Sequence, residues 1–412
     1  MKADLNRLMK EKKLDAILVI GRSQHNPAMV YFTGTAHITR ADLIVQVDKE
    51  PVLFHPSMER EEAAATGIRT IDYNQYPMPA LLKEAGNDML LAMVMRYEKM
   101  FAEAGLKSGK VAIYGENEIG AIFSVLTLLQ KRNPKLEFVG YQQEDLLLSA
   151  MATKSSDELA HIREMGERTI GVVSQVKAFL TNHKVVDDIL IKEDGKPLTI
   201  ADVKRKINLW LAASGAENPE STIFAIGRDG GVPHSTGTAS DVIRLGVPIV
   251  FDIFPCEEGG GYFYDFTRTW CLGYAPPEVE IVYNDVRKVY DTIVNELELN
   301  KPFKQYQART CELFRELGHA TVEENPKTEE GYVHSLGHGV GLHVHEMPFA
   351  GAYATPSEIL AAGSVFTIEP GLYYPEKGLG VRLEDTYYAE ADGSFHCFVP
   401  YPFDLVLPMK QS

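Results

Sequence analysis

Residues 247–254 read VPIVFDIF, an apolar run of strand character interrupted by one carboxylate, Asp252. Burying an ionised carboxylate is costly unless it is paired or bound to a cation. A fold that buries this run must therefore supply Asp252 with a counter-charge. Three later runs impose the same condition. GYFYDFTRT over 261–269 carries Asp265, and the two-residue period of a strand puts Asp265, Thr267 and Thr269 on one face. VFTIEPG over 365–371 puts Thr367 and Glu369 on one face, and GVRLEDT over 380–386 does the same for Arg382, Glu384 and Thr386. A lone aspartate in a strand is most often a surface or turn-proximal residue. Four strand-borne acids between 252 and 384 are a different matter. Like charges at about 4 Å repel by ~4 kcal/mol even at an effective dielectric near 20, against a net stability of only ~5–15 kcal/mol. Divalent cations would remove that repulsion.

Histidines cluster in the same half of the chain. Residues 334–346 read HSLGHGVGLHVHE. His334 and His338 are four apart, but Gly337, Gly339 and Gly341 argue against a helix. The segment is not HExxH, so the helical zinc-protease pattern fails. No Lys-Ser or Lys-Thr follows the glycines, so it is not a phosphate loop. An oxygen-rich site with one imidazole suits manganese, cobalt, iron or zinc, and ligand type alone does not choose among them.

The rest of the sequence narrows the context. Lys plus Arg number 41 and Asp plus Glu 57, a formal charge of −16. Such an acidic surface repels phosphate backbones and anionic lipid, so neither nucleic acid nor a membrane is an expected partner. No apolar run reaches the ~20 residues that cross a bilayer. The amino-terminal stretch reads as a mature cytosolic start rather than a signal peptide. The four cysteines, Cys256, Cys271, Cys311 and Cys397, form no CxxC pair, which points to reduced thiols and a cytoplasmic location.

At 412 residues the chain is long enough for two or three domains. Residues 1–150 alternate helical and extended patterns, including a helix over 5–14, an apolar strand over 16–20 and a hairpin joining 41–47 to 51–54. Strands over 111–114 and 136–138 flank a helix near 118–131. A boundary is expected near 150. Beyond it, Ser155 and Glu158 form a capping-box signature before a long amphipathic helix. A polar loop is expected over 183–198, then a helix from Thr199 to before Gly215. From 221 onward extended, glycine-punctuated segments dominate, with helices near 277–299 and 306–320.

These motifs together resemble the pita-bread metallopeptidases: methionine aminopeptidase, aminopeptidase P, prolidase and the metal-free creatinase. The resemblance covers most of the chain. It implies an α+β fold of two domains: an α/β creatinase-like amino-terminal domain over 1–150, and a pita-bread catalytic domain over 151–412 whose curved antiparallel sheet is covered by helices. By that resemblance Asp252, Asp265, His338 (in Gly-His-Gly), Glu369 (in Glu-Pro-Gly) and Glu384 (in Arg-x-Glu-Asp) are the ligands of two divalent ions, manganese or cobalt ahead of zinc or iron. Asp265 and Glu384 bridge the pair. A shared hydroxide is the nucleophile and Glu369 its proton shuttle, while His234 and His345 stand near the scissile bond. His334 and Arg382, which fit the proline-cleaving branch, are expected to contact the substrate's proline carboxylate or to support a ligand. The implied reaction is hydrolysis of the bond preceding proline in short peptides with proline second, as an Xaa-Pro dipeptidase or aminopeptidase, by a homodimer. A creatinase-like metal-free hydrolase, a non-catalytic protein-binding module and a methionine aminopeptidase are the alternatives. The chain departs from the family pattern twice: Phe254 stands where glycine is usual, and the spacing from Asp252 to Asp265 is longer, with Gly259, Gly260 and Gly261 between them.

Overall fold

The computed structural model describes residues 4–142, 146–351 and 354–410. The first three residues of the amino-terminal stretch read above lie outside them. The chain divides into two units, Met1–Ala150 with Glu258–Gly261, and Met151–Glu257 with Tyr262–Ser412. Among the described residues no helix is long and apolar enough to cross a membrane.

The first unit holds a six-stranded mixed sheet in the order Arg69–Asp72, Val52–His55, Ala41–Gln46, Ala16–Gly21, Gly109–Gly115, Leu136–Val139. Ala16–Gly21 is buried along its whole length. A strand covered on both faces has no polar face to alternate with, which is why AILVIG is continuously apolar. It pairs antiparallel with Ala41–Gln46 and parallel with Gly109–Gly115. The hairpin turns at Asp48, which has φ +57°, a conformation that aspartate tolerates better than most residues. Asp42 lies inside this sheet, fully buried, and accepts hydrogen bonds from Tyr73 at 2.5 Å and Tyr97 at 2.7 Å. Burial raises its carboxyl above the usual range, and the two phenols work against that shift.

The second unit opens with the helix Ser156–Thr181. Ser155 and Glu158 close a reciprocal capping box at its start. Ile162, Met165, Val172, Val173, Val176 and Leu180 form its buried stripe, at the three-to-four spacing that an amphipathic helix requires. It packs with the helix Ile200–Ala213, capped in the same way by Thr199 and Asp202. Between them, residues 183–198 do not form the polar loop that their composition suggests. Lys184–Val186 and Ile189–Ile191 make a two-stranded hairpin. Asp187 and Asp188 turn it at positive φ, as a tight hairpin demands, and Leu190 is its buried anchor. The charged residues around Leu190 mask this short alternation in the sequence.

Two larger sheets carry most of the rest of the unit. In one, Ile223–Ile226, Pro248–Ile253 and Phe266–Leu272 run antiparallel, and Val406–Leu407 joins the edge in parallel. The other has the order Glu346–Phe349, His338–Gly339, Val365–Ile368, Asp385–Ala389, Phe395–Cys397, all antiparallel. Gly371–Tyr374 and Leu379–Arg382 form a separate hairpin. An antiparallel bridge between Thr267 and Glu384 links the first sheet to the segment leading into Asp385–Ala389. The helices Ser156–Thr181 and Ile200–Ala213 share an apolar core with Phe224, Phe251 and Trp270. The helices Pro277–Glu296 and Lys304–Glu316 share another with Phe366, Leu372 and Val381.

Candidate metal centre

The strand pairing builds the site. Pro248–Ile253 lies between Ile223–Ile226 and Phe266–Leu272, in a register that puts Ile223 and Thr267 on either side of Asp252. Thr267 is bridged in turn to Glu384, and its hydroxyl donates to Glu384 Oε2 at 2.6 Å. Asp252, Thr267 and Glu384 thus form a row across neighbouring strands, and Asp265 sits just before the middle one. Arg268, wholly buried, locks the row from behind. Its guanidinium donates to the carbonyl oxygens of Thr267 and Glu384 at 2.9 and 2.8 Å and pairs with Asp385 at 2.9 Å.

His338 and Glu369 come from the second sheet. Gly337 and Gly339 flank His338 because there is no room for larger residues: a Cβ at either would strike the carbonyl oxygen of Thr367 or Met347 respectively. The Thr367 hydroxyl accepts from the His338 backbone N–H at 3.1 Å. The ring's Nδ1 stands 3.0 Å from the Gly339 carbonyl, which fixes that nitrogen as the donor and aims Nε2 at the acids. Nε2 lies 3.3 Å from Glu369 Oε1 and 3.7 Å from Asp265 Oδ2. Glu369 is tethered by its backbone N–H to the Leu336 carbonyl at 2.8 Å.

The charge balance of this cluster calls for cations. Asp252 Oδ1, Asp265 Oδ1 and Glu384 Oε1 are buried and meet no protein donor; an oxygen in that state normally has a partner, often an ion. Burial first, and then repulsion from the neighbouring acids, pushes the Asp265 and Glu384 carboxyls well above their usual range. Burial likewise raises Asp252, against the opposing charge of Arg382. His338 absorbs part of the imbalance. Burial alone would lower its pKa, yet the Glu369 hydrogen bond and charge bring it up to about 9. Burial acts to raise Glu369, and His338 brings it down to about 2. Asp265, His338 and Glu384 offer ligand atoms all within 4.8 Å of one another. Asp252 and Glu369 line the same cavity of about 210 Å³. The set of four carboxylates and one imidazole matches hard-to-borderline divalent ions.

The other residues singled out from sequence divide into two groups. His334 and Arg382 are built into the wall of this cavity, and His234 and His345 line its exposed edge. Arg382 donates to Asp252 Oδ2 at 2.6 Å, to the Tyr373 hydroxyl at 2.7 Å, to the Pro233 carbonyl at 3.2 Å and to the Thr267 hydroxyl at 3.3 Å. A guanidinium so engaged orients Asp252, which favours the ion-pair role for Arg382 over a direct substrate contact. Tyr373 continues the chain and lies 2.9 Å from His334 Nε2. Burial lowers His334 to about 4, so this imidazole is neutral near pH 7. His345 packs edge-on against His338 with ring centroids 4.3 Å apart. Burial and the charge on His338 bring it to about 4 as well.

Sequence reasoning missed what holds His345. Glu346, the next residue, is wholly buried. Its Oε1 accepts from the backbone N–H groups of Leu342 and His343 at 2.7 and 3.0 Å, and its Oε2 pairs with Lys154 Nζ at 2.7 Å. Gly341 must lack a side chain, since a Cβ there would strike Glu346. Tyr373 was missed too. Neither has a local signal, because Lys154 and Glu346 are far apart in the chain and Tyr373 reads as an ordinary strand aromatic.

Comparison with known proteins agrees with this geometry. Residues 160–391 match the profile of metallopeptidase family M24, and residues 2–144 that of the creatinase/prolidase N-terminal domain. The Xaa-Pro dipeptidase of Pyrococcus furiosus is 27% identical over 400 residues, covering 96% of this chain and 97% of that protein. An uncharacterized peptidase of Staphylococcus aureus is 27% identical over 376 residues, covering 88% and 90%. Among solved structures, the prolidase from Pyrococcus horikoshii OT3 superposes with a TM-score of 0.72 at 23% identity, covering 98% of both chains. The X-Pro aminopeptidase from Thermotoga maritima MSB8 superposes with 0.73 at 21% identity, covering 98% of this chain and 99% of that one. These superpositions speak to the fold.

Proposed function

Because this chain belongs to metallopeptidase family M24 and carries a creatinase/prolidase amino-terminal domain, we propose that it hydrolyses the peptide bond preceding proline in short peptides with proline second. The convergence of Asp252, Asp265, His338, Glu369 and Glu384 on one cavity, with three buried carboxylate oxygens lacking a donor, carries the reading. The relatives named Xaa-Pro dipeptidase, from Pyrococcus furiosus and Pyrococcus horikoshii, match nearly the whole chain and support the proline specificity. In this reading Asp252, Asp265, His338, Glu369 and Glu384 would together hold the divalent ions. Such ions lower the pKa of bound water and polarise a scissile carbonyl.

The chain's own residues do the rest. Glu369, which lines the cavity 3.3 Å from His338, takes a proton from the attacking water and delivers it to the departing proline nitrogen. His345, neutral near pH 7, donates a hydrogen bond to the carbonyl oxygen as negative charge develops there. His234 supplies a second donor from the rim. Arg382 keeps Asp252 oriented. Family resemblance supports manganese or cobalt ahead of zinc or iron, and a homodimer. The four free thiols fit a cytoplasmic location.

Two measurements test this. Loaded with Mn²⁺, the enzyme is expected to cleave Ala-Pro and Ala-Pro-Ala in preference to Met-Ala-Ser. A chelator should abolish turnover, and added divalent metal should restore it. A preference for Met-Ala-Ser, or activity indifferent to chelation, would overturn the reading. Independently of turnover, Mn²⁺ at a hundredfold excess over its dissociation constant is expected to stabilise the fold by about 2.7 kcal/mol, read as a rise of several degrees in melting temperature. An unchanged melting temperature would count against a metal centre.

A further inference from the structure

Phe254, the departure from the family's glycine, lines the cavity beside the proposed metal ligands. It is half-buried and packs against the small apolar cluster of Ile223, Ala225 and Val250. Strand register places Ile223 directly opposite Asp252, and Phe254 follows Asp252 by two residues. Both apolar side chains therefore flank that carboxylate on the cavity side. Val344, from the loop that carries His345, adds to the same apolar wall. The remaining wall is mostly charged or polar, with Glu220 an exposed carboxylate among its residues.

A peptide's first residue brings an ammonium group, and carboxylates attract it. Glu220 is three residues from Ile223, and Asp252 is paired with Ile223. Glu220, exposed at the cavity edge, draws the ammonium to the side where Ile223 and Phe254 stand. The side chain of the first residue then falls against those two, and the rest of the peptide extends toward His334. In a space of about 210 Å³, the phenyl ring takes room that a bulky first side chain would need. We propose that Phe254 sets the size limit for the residue preceding the scissile bond, so that the enzyme selects small first residues. This rests on the peptidase reading above.

The test is a size series at the first position: Ala-Pro, Leu-Pro and Phe-Pro, with the matching Xaa-Ala peptides, on Mn²⁺-loaded wild type, Phe254→Ala and Phe254→Leu. Hydrophobic pockets discriminate by roughly 10–200-fold per methylene-sized difference. Wild type is therefore expected to favour Ala over Phe at the first position by at least about tenfold in kcat/KM. Phe254→Ala should move that ratio toward Phe by about tenfold or more, with the change carried by KM for the bulky substrate. Phe254→Leu, which nearly keeps the packing, should lie between the two and serves if the alanine variant fails to fold. A Phe-to-Ala ratio within about twofold of wild type in a folded variant, or a wild type that prefers Phe first, would overturn the proposal. Cleavage of the Xaa-Ala series in place of Xaa-Pro would sink the proline reading, while Phe254 would still be judged on its own ratio. Cleavage of neither series would overturn both.

Discussion

Replacing Glu369 with Gln is expected to lower kcat/KM for an Xaa-Pro dipeptide by about 10²–10⁴-fold, the usual contribution of a general acid–base group. The substitution keeps the shape of the side chain and its backbone tether to Leu336. It removes the carboxylate that faces His338 Nε2 at 3.3 Å in the cavity. An amide cannot take the proton from water, nor hand it to the proline nitrogen. Gln also removes a charge that helps to hold metal, so metal content must be measured alongside turnover. A variant that binds both ions and still turns over within about twofold of wild type would show that Glu369 is not the shuttle.

Lys154→Met is expected to destabilise the protein by about 3–5 kcal/mol, the range found when one partner of a buried ion pair is removed. The side chains of Lys154 and Glu346 are 1% and 0% exposed, so water cannot replace the lost partner. Glu346 would be left as an uncompensated charge, though still bonded to the Leu342 and His343 amides. The double change Lys154→Met with Glu346→Gln should recover more than half of the loss. The Gln carbonyl still accepts from those two amides, and no net charge stays buried. Urea unfolding of the three proteins measures this, and a single-variant loss below about 1 kcal/mol would contradict it. Because the same loop presents His345, the single variant should also lose turnover at temperatures where it remains folded.

The parts of this molecule legible from sequence are those whose signal is local. The capping box at Ser155 and Glu158, the hairpin around Asp48 and the continuous apolar run Ala16–Gly21 each announce themselves within a few residues. The candidate ligands were legible for a related reason, since a carboxylate in an apolar run is conspicuous, but only Asp252 lies within a strand: Asp265 precedes Phe266–Leu272, Glu369 follows Val365–Ile368, and Glu384 sits at a single bridge before Asp385–Ala389. Thr267 stands with the acids, its hydroxyl donating to Glu384, while Thr269 accepts from the backbone N–H of Arg382. What stayed hidden depends on pairings across the chain. Lys154 meets Glu346 across 192 positions, and Tyr373 bridges Arg382 to His334 only because a hairpin folds it back. The Lys184–Val186 and Ile189–Ile191 hairpin was overlooked because a single buried leucine among charged residues looks like loop composition.

The row formed by Asp252, Thr267 and Glu384 has a consequence for how this gene can vary. A strand shifted by one residue turns every side chain to the opposite face. A one-residue insertion within Pro248–Ile253 would therefore swing Asp252 out of the cavity even if the sheet re-formed, and one within Phe266–Leu272 would break the alignment of Thr267 with Asp252 and Glu384. The two-helix stretch between 273 and 337 carries no member of the row, and length changes in its connections leave the alignment untouched. Natural variation in chain length among enzymes built this way should therefore gather in that stretch and avoid the strands on either side of it.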